Sequence, residues 1–569
     1  MRRLEIGFWL VAILLGFFHT WADHHYLVNA DAMSYLDIAD AYLRHDWGTA
    51  VNTYWSPLYS WLIALALLVF RPSPYWKFAV LHLVNFAIYL FALGCFSFLI
   101  REIVRTHRMQ HTELLAAGLV TVPDWALVAL GYSLAIWSSL FLISVPLESP
   151  DMLVAAFVYL ATGILVRIRR DPSRWAAFIA LGAVLGIGFL AKSVMLPLTA
   201  VFLLGCVFAA GNLRRALPRV ALAGVFFLLV AGPFVLAMSQ SKGSLTTGKT
   251  GGLNYLWTIN RVINTHWQGE EPDSGTPAHT TRKIFDDPPA FEFAEPIGGT
   301  YPVWYDPTYW YEGSAAHFDL RGQFKVVGTA IGNYYELLQE RGVQYGLAVA
   351  IITLYAMSGT ARRVIYDLKD RWALLLPAIG GLGLYLLVNV QGRYVASFLV
   401  LLWLALFAAV RLPHSPDTAR FVKVIMIVLA GSLVLTIVAS STRETAVTLR
   451  QLVRGEDPAA HEQWQVAEGL RELGLASGDK VAFIGHSTRG FWAHLLQLRI
   501  AAEIRRDKIG DFWRADASRK SEVIDAFAST GVKAVVAEKP PAGTDLSNWR
   551  QIRQTDYYVH MFYPQKAQN

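Results

Sequence analysis

The amino-acid sequence predicts a polytopic α-helical membrane protein of about eleven spans, carrying a small extracytoplasmic α/β domain at its C-terminal end. Three observations lead there. Of 569 residues, 54% are hydrophobic and only 16% charged, whereas soluble domains carry roughly 25% charged residues. About eleven apolar runs approach the roughly 20 residues that a helix needs to cross about 30 Å of hydrocarbon. Arginine and lysine gather in alternate loops between those runs. An aromatic content of 13% without low-complexity tracts excludes disorder, collagen and coiled coil.

The runs fall at 5–23, 76–100, 124–146, 150–168, 175–191, 193–210, 219–239, 344–361, 372–390, 394–411 and 421–441. The first follows Met1-Arg2-Arg3 and has no small-x-small cleavage site, so an uncleaved span is expected. With the N-terminus cytoplasmic, the inner loops carry Arg101, Arg105 and Arg108; Arg167, Arg169, Arg170 and Arg174; Arg214, Arg215 and Arg219; Arg362, Arg363, Lys369 and Arg371; and Arg411, Arg420 and Lys423. Every inner loop obeys the positive-inside rule. The apolar stretch Leu58–Phe70 would invert all later loops if it crossed, so it reads as an interfacial or re-entrant outer helix bounded by Pro57, Pro72 and Pro74. The formal charge of +7 therefore reports orientation, and no nucleic-acid partner is expected.

The transmembrane part is expected over 1–441, with outer loops 24–75 and 240–343, and the extracytoplasmic domain over 442–569. In that domain Lys480–Gly485, Val532–Glu538 and Tyr557–Tyr563 read as strands, and Ala493–Glu503 and Ser521–Ser529 as helices. Cys95 and Cys206 lie within apolar runs and form no disulfide framework.

Ionisable groups at span ends are costly and commonly face a cavity. Asp31, Glu148, Asp151, Lys192 and Arg393 all fall at outer ends. A carboxyl beside apolar surface has a raised pKa and can take a proton from a hydroxyl, while lysine and arginine hold a phosphate leaving group. Structural readings stand beside these at each position. Asp31 fits an N-cap of the amphipathic segment 32–43, Glu148 and Asp151 fit caps around Ser149-Pro150, and Lys192 and Arg393 fit snorkelling side chains.

Asp31-Ala32-Met33-Ser34-Tyr35-Leu36-Asp37-Ile38-Ala39, followed by Tyr54-Trp55-Ser56-Pro57-Leu58-Tyr59-Ser60-Trp61-Leu62, resembles the first outer loop of GT-C glycosyltransferases. These polytopic enzymes use polyprenyl-phosphate sugars and include protein O-mannosyltransferases and lipid A aminoarabinose transferases. Ser56 stands where the family pattern has the first of two prolines. The likeness continues through Glu148–Asp151, Gly188-Phe189-Leu190-Ala191-Lys192 and Arg393-Tyr394, and covers the layout of roughly residues 1–410.

The resemblance implies an integral-membrane glycosyltransferase in a bacterial cytoplasmic membrane, moving a sugar with inversion from a polyprenyl-phosphate donor to the hydroxyl of a glycan, lipid or protein acceptor. Asp31 matches the general base, and Lys192 and Arg393 the positions near the donor phosphate. Glu148 and Asp151 match a second acidic site that orients substrate or binds a metal. Ala32 replaces a second acid found in many relatives, which leaves a divalent metal open. His24 and His25 are nearby, although adjacent imidazoles do not readily share one ion.

The loop 240–343 is rich in aromatic residues, which suit sugar stacking and an interfacial belt equally. Sugar or acceptor contacts are expected from Tyr35, Tyr54, Trp304, Tyr305 and Tyr394. Gly485-His486-Ser487-Thr488-Arg489-Gly490 follows a strand like a nucleophile elbow, but its second glycine comes one residue late. Two rival functions fit the sequence: a transporter or flippase of a lipid-linked saccharide, and a non-catalytic envelope-assembly subunit.

Overall fold

The computed structural model describes residues 1–358, 360–454 and 462–562. Each expected apolar run is helical: Arg2–Ala22, Lys77–Ala116, Asp124–Trp137 with its π-helical continuation Ser138–Ile143, Asp151–Arg170, Trp175–Ala191, Met195–Ala210, Leu213–Lys242, Val343–Met357, Trp372–Leu386, Gly392–Ala408 and Pro416–Arg454. Among the described residues six helices are long and apolar enough to cross a membrane, or seven if Val343–Met357 and the helix after it, bent by 118°, form one span. Length thus supports fewer spans than the expected eleven. Trp175–Ala191, Met195–Ala210, Trp372–Leu386 and Gly392–Ala408 have only 15 to 17 residues, which is about 22–26 Å of helix. These short helices are packed among others: Phe178, Leu181, Leu185, Leu198, Phe202 and Phe398 are fully buried. Trp175–Ala191 lies so close to Leu213–Lys242 that a Cβ on Gly182 would collide with the Ala223 backbone.

Charge separates the two ends of the bundle. At one end Arg167 and Arg170 pair with Glu102 at 2.5 and 2.8 Å. Arg169 and Arg411 meet on Asp370 at 2.5 and 2.8 Å, so basic residues from two of the expected inner loops share one carboxylate. Asp151 begins the same 20-residue helix that Arg167–Arg170 ends, which sets it about 30 Å away. Cys95 and Cys206 are buried and unbonded to each other.

Nine strands occur among the described residues: β1 (Leu119–Thr121), β2 (Arg282–Asp286), β3 (Pro289–Glu292), β4 (Arg411–Pro413), β5 (Lys480–Ile484), β6 (Arg499–Ile504), β7 (Ala534–Glu538), β8 (Arg550–Gln551) and β9 (Tyr557–Met561). β1 and β4 form a small antiparallel pair, and the other seven form one sheet in the order β2-β3-β6-β5-β7-β9-β8. β5 is parallel to both β6 and β7.

This sheet departs from the expected division at residue 442, because β2 and β3 come from the long loop 240–343. β3 pairs antiparallel with β6, setting Ala290 opposite Ile504 and Phe291 opposite Glu503, and so covers an edge that would otherwise expose unpaired amides. The expected helix Ala493–Glu503 is also corrected. Helix Phe491–Leu495 ends early, and Arg499–Ile504 becomes β6. Pairing on both sides and burial of Ile500–Ala502 outweigh its helical propensity. Tyr563, the last residue of the expected final strand, lies outside the described residues.

Two buried polar bridges fasten this domain to the outer loops. His494 Nδ1 donates to Asp37 at 2.7 Å, and the Thr300 amide and hydroxyl donate to the same carboxylate at 2.7 and 2.8 Å. Glu503 accepts from His266 Nε2 and Tyr301 Oη, each at 2.6 Å. Replacing His494 by Ala strips the buried Asp37 of a hydrogen-bond donor and is expected to cost about 1–3 kcal/mol. Arg519→Ala, which breaks an exposed pair with Asp287, is expected to cost under about 1 kcal/mol. Thermal midpoints of the two variants in nanodiscs check this order.

Candidate active site

Four helix ends converge around Asp31. Asp31 opens helix Asp31–Leu43, Asp151 opens Asp151–Arg170, Arg393 is the second residue of Gly392–Ala408, and Lys192 closes Trp175–Ala191. Three of these are helix N-termini, whose unpaired amides favour an anion nearby. Pro146–Pro150 makes the short turn that brings Asp151 to the site, and Lys192 caps its helix through an amide bond to Gly188 O at 3.0 Å.

Asp151 organises the charges. Its Oδ1 receives Lys192 Nζ at 2.5 Å, its Oδ2 lies 3.6 Å from Arg393 Nε, and Ser149 Oγ donates to it at 3.0 Å. The Tyr394 ring lies between the cations, 4.1 Å from Lys192 Nζ and 4.9 Å from the Arg393 guanidinium carbon, and Tyr385 stacks on it at 5.3 Å. Lys192 and Arg393 keep 25% and 19% of their side-chain surface exposed, so both reach an incoming anion. Asp31 is half-buried and accepts from Trp304 Nε1 at 3.2 Å. Trp304 stacks with Trp257 at 5.8 Å, and Tyr54 packs on both rings.

The structure therefore brings Asp31, Asp151, Lys192, Arg393, Tyr35, Tyr54, Trp304 and Tyr394 together, and sets Glu148 and Tyr305 elsewhere. Glu148 is fully buried and faces away, accepting the Val28 amide at 3.2 Å and the Asn29 amide at 2.9 Å. Asn29 returns a bond from Nδ2 to Glu148 O at 2.7 Å, and its Oδ1 accepts the Asp31 amide at 3.3 Å. Glu148 thus anchors the approach to Asp31 in place of sharing a second acidic site with Asp151. Tyr35 is buried edge-on between Trp55 and Tyr59, within the fields of Asp31 and Asp151, whereas Tyr305 is buried with its hydroxyl on Thr49 O at 2.6 Å, away from the charged site. Sequence reasoning did not single out Asn29 or Tyr385. An Asx residue two places before Asp31 was the available signal for Asn29, and none pointed to Tyr385.

These donors do not fit a divalent cation. Asp151 is engaged by two cations, Glu148 by backbone amides, and among the described residues no three His, Cys, Asp or Glu side chains gather. His24 stacks on Trp21 at 4.4 Å and His25 packs on Tyr75 and Trp76.

The whole chain superposes on the apo crystal structure of ArnT from Cupriavidus metallidurans, with a TM-score of 0.51 over 97% of each chain at 11% identity. The fold is GT-C. An oligosaccharyltransferase from Archaeoglobus fulgidus, in complex with zinc and sulfate, gives a TM-score of 0.48 at 12% identity, covering 94% of this chain and 68% of that one. ArnT bound to undecaprenyl phosphate gives 0.39 at 12% identity over 97% of each chain. No family model matches the sequence, and no curated protein matches it.

Within this fold the two anchored carboxyls have different electrostatics. Burial raises the Asp31 pKa above the ordinary aspartate value, and the fields of Arg393 and Lys192 oppose the rise. Burial pushes Glu148 from 4.5 up to about 8, against the pull of the Asn29 and Val28 amides. A carboxyl that holds its proton more tightly when folded contributes most stability at low pH. For Glu148 that contribution is complete below pH 4.5 and lost as pH rises towards about 8. Glu148→Gln has no such titration, so its stability relative to wild type is expected to climb across this window and level off above it. Denaturation midpoints measured at several pH values in nanodiscs report the difference.

Proposed function

We propose that the protein is an integral-membrane glycosyltransferase that moves a sugar from a polyprenyl-phosphate donor to an extracytoplasmic acceptor hydroxyl, with inversion at the anomeric carbon. The observation that carries this is the meeting of a half-buried, pKa-raised Asp31 with two solvent-reaching cations, Lys192 and Arg393, held on Asp151. The likeness to ArnT supports it at the level of fold, and ArnT is a protein also seen with undecaprenyl phosphate.

In this reading Asp31 takes the proton of the acceptor hydroxyl as its oxygen attacks the anomeric carbon. The bond from that carbon to the phosphate oxygen breaks, and its electron pair stays on the phosphate. Phosphate charge grows from about −1 in the donor diester to about −2 in the leaving monoester, so Lys192 and Arg393 bind the transition state more tightly than the ground state. Because the phosphate is a good leaving group, no acid is needed opposite Asp31, and no step runs through a metal. Trp304 fixes the Asp31 rotamer, and Tyr54, Trp257 and Tyr394 offer aromatic faces to the sugar. All eleven apolar helices belong to the membrane part in this proposal. The N-terminus and the ion pairs of Arg167, Arg169 and Arg411 lie on the cytoplasmic side of a bacterial inner membrane, and residues 442–569 lie outside. A flippase reading would want charges deep within spans, whereas Asp31, Asp151, Lys192 and Arg393 sit at helix ends.

Asp31→Asn in purified protein is expected to lower sugar transfer by about 10²- to 10⁴-fold, the usual contribution of a general base. Unchanged transfer would contradict the assignment. Activity requires ionised Asp31, so the acid limb of kcat/KM should lie above the ordinary aspartate range. Arg393→Gln removes an opposing positive field and should move that limb to still higher pH, a shift read directly from the two pH profiles.

A further inference from the structure

A second cavity lies between the C-terminal domain and the first outer loop, built by neither part alone. In the sheet, β6 and β7 flank β5 on opposite sides, and the chain leaves β5 towards β6 but leaves β7 the other way, towards β8 and β9. The crevice outside the carboxyl ends of β5 and β7 is therefore a topological switch point, the place where open α/β sheets bind ligands. Arg489 and Phe491 follow β5 there, Glu538 ends β7, and Trp464 closes one side from helix Glu462–Glu472. Tyr75, with the segment His25–Leu27, closes the side towards the membrane part. The enclosed space is about 120 Å³, on the scale of one sugar ring.

The lining is arranged in advance. Gly485 leaves room for Glu538, since a Cβ there would come within 2.7 Å of the Glu538 Cβ, and the Glu538 carboxylate is held by the His486 amide at 2.8 Å. Gln463 is fixed between Tyr557 Oη at 3.2 Å and the Trp492 amide at 2.9 Å. Tyr75 meets Trp464 nearly at right angles, with ring centroids 5.5 Å apart, and Phe78 meets Phe491 in the same manner at 6.3 Å. Counting the permanently charged residues of the lining, Arg489 stands against Glu462 and Glu538, a balance of −1. That balance disfavours a phosphate or acidic headgroup and sets the cavity apart from the Lys192 and Arg393 site.

Aromatic faces with a fixed carboxylate and amide, beside the exposed Arg489 guanidinium, suit a ring that has apolar C–H faces and a rim of hydroxyls. We propose that this crevice binds one neutral monosaccharide unit of the acceptor, making the acceptor a glycan. Leu27, in the wall, is followed by Val28 and Asn29, the residues that Glu148 anchors ahead of Asp31, so an occupied crevice borders the approach to the base. The acceptor role rests on the glycosyltransferase reading above; the saccharide site itself does not.

Saturation-transfer NMR on the full chain in nanodiscs tests the site, with maltotriose, cellotriose and chitotriose as probes. Wild type and Asp31→Asn are expected to saturate the ring protons of at least one trisaccharide equally. Trp464→Ala and the surface change Arg489→Ala should each weaken that signal at least fivefold. Absence of saturation from all three probes in wild type, or signals unchanged in both crevice variants, would overturn the proposal. Equal saccharide binding by wild type and Asp31→Asn, when neither transfers sugar, would remove the enzymatic reading and leave the saccharide site standing.

Discussion

One carboxylate, Asp151, holds the outer end of the bundle together. It sits at a helix N-terminus and draws Lys192 and Arg393 from two other helices to 2.5 and 3.6 Å. Without it, two like charges would crowd the Tyr394 ring with no carboxylate between them. With it, they stay close and still reach solvent. Charge balance follows from the same pair: two cations against Asp151 leave a single positive charge for an anion to meet, and their field keeps the half-buried Asp31 from rising as far as burial alone would take it.

A second constraint fixes where Asp31 points. Glu148 accepts the Val28 and Asn29 amides, Asn29 holds the Asp31 amide, and at the far side of the same helix Asp37 is locked by Thr300 and His494. The helix bearing Asp31 is thus clamped from the membrane part at its start and from the C-terminal domain near its middle. Strands β2 and β3 extend that domain's sheet with chain from the long loop, and Trp304, from the same loop, reaches Asp31. The loop, the C-terminal domain and the helix of Asp31 are tied together by these bonds.

Much of this was legible in the sequence, for identifiable reasons. Apolar runs of helical length mark the bundle because a lipid-facing backbone has few other ways to satisfy its polar groups. Asp31, Asp151, Lys192 and Arg393 stood out because ionised groups at span ends are rare and costly. The direction of neighbouring side chains was not legible. Glu148 and Asp151 are three residues apart, yet one faces the amides of Val28 and Asn29 and the other faces Lys192, a difference set by the turn Leu147–Pro150. Nor was the origin of β2 and β3, since β3 meets β6 across some two hundred residues and no local pattern carries a long-range pairing. Ala493–Glu503 misled for the same reason: its helix-like composition yields to strand pairing on both sides of β6.

The central claim is that Asp31 directs a displacement in which phosphate leaves into the field of Lys192 and Arg393. The most direct measurement follows wild-type protein in nanodiscs with synthetic polyprenyl-phosphate sugars of defined anomeric configuration, determining by NMR the configuration of the glycoside formed and the polyprenyl phosphate released. The account predicts one released polyprenyl phosphate per glycoside and inverted configuration throughout. Retained configuration, or cleavage of the donor without a new glycoside, would contradict it.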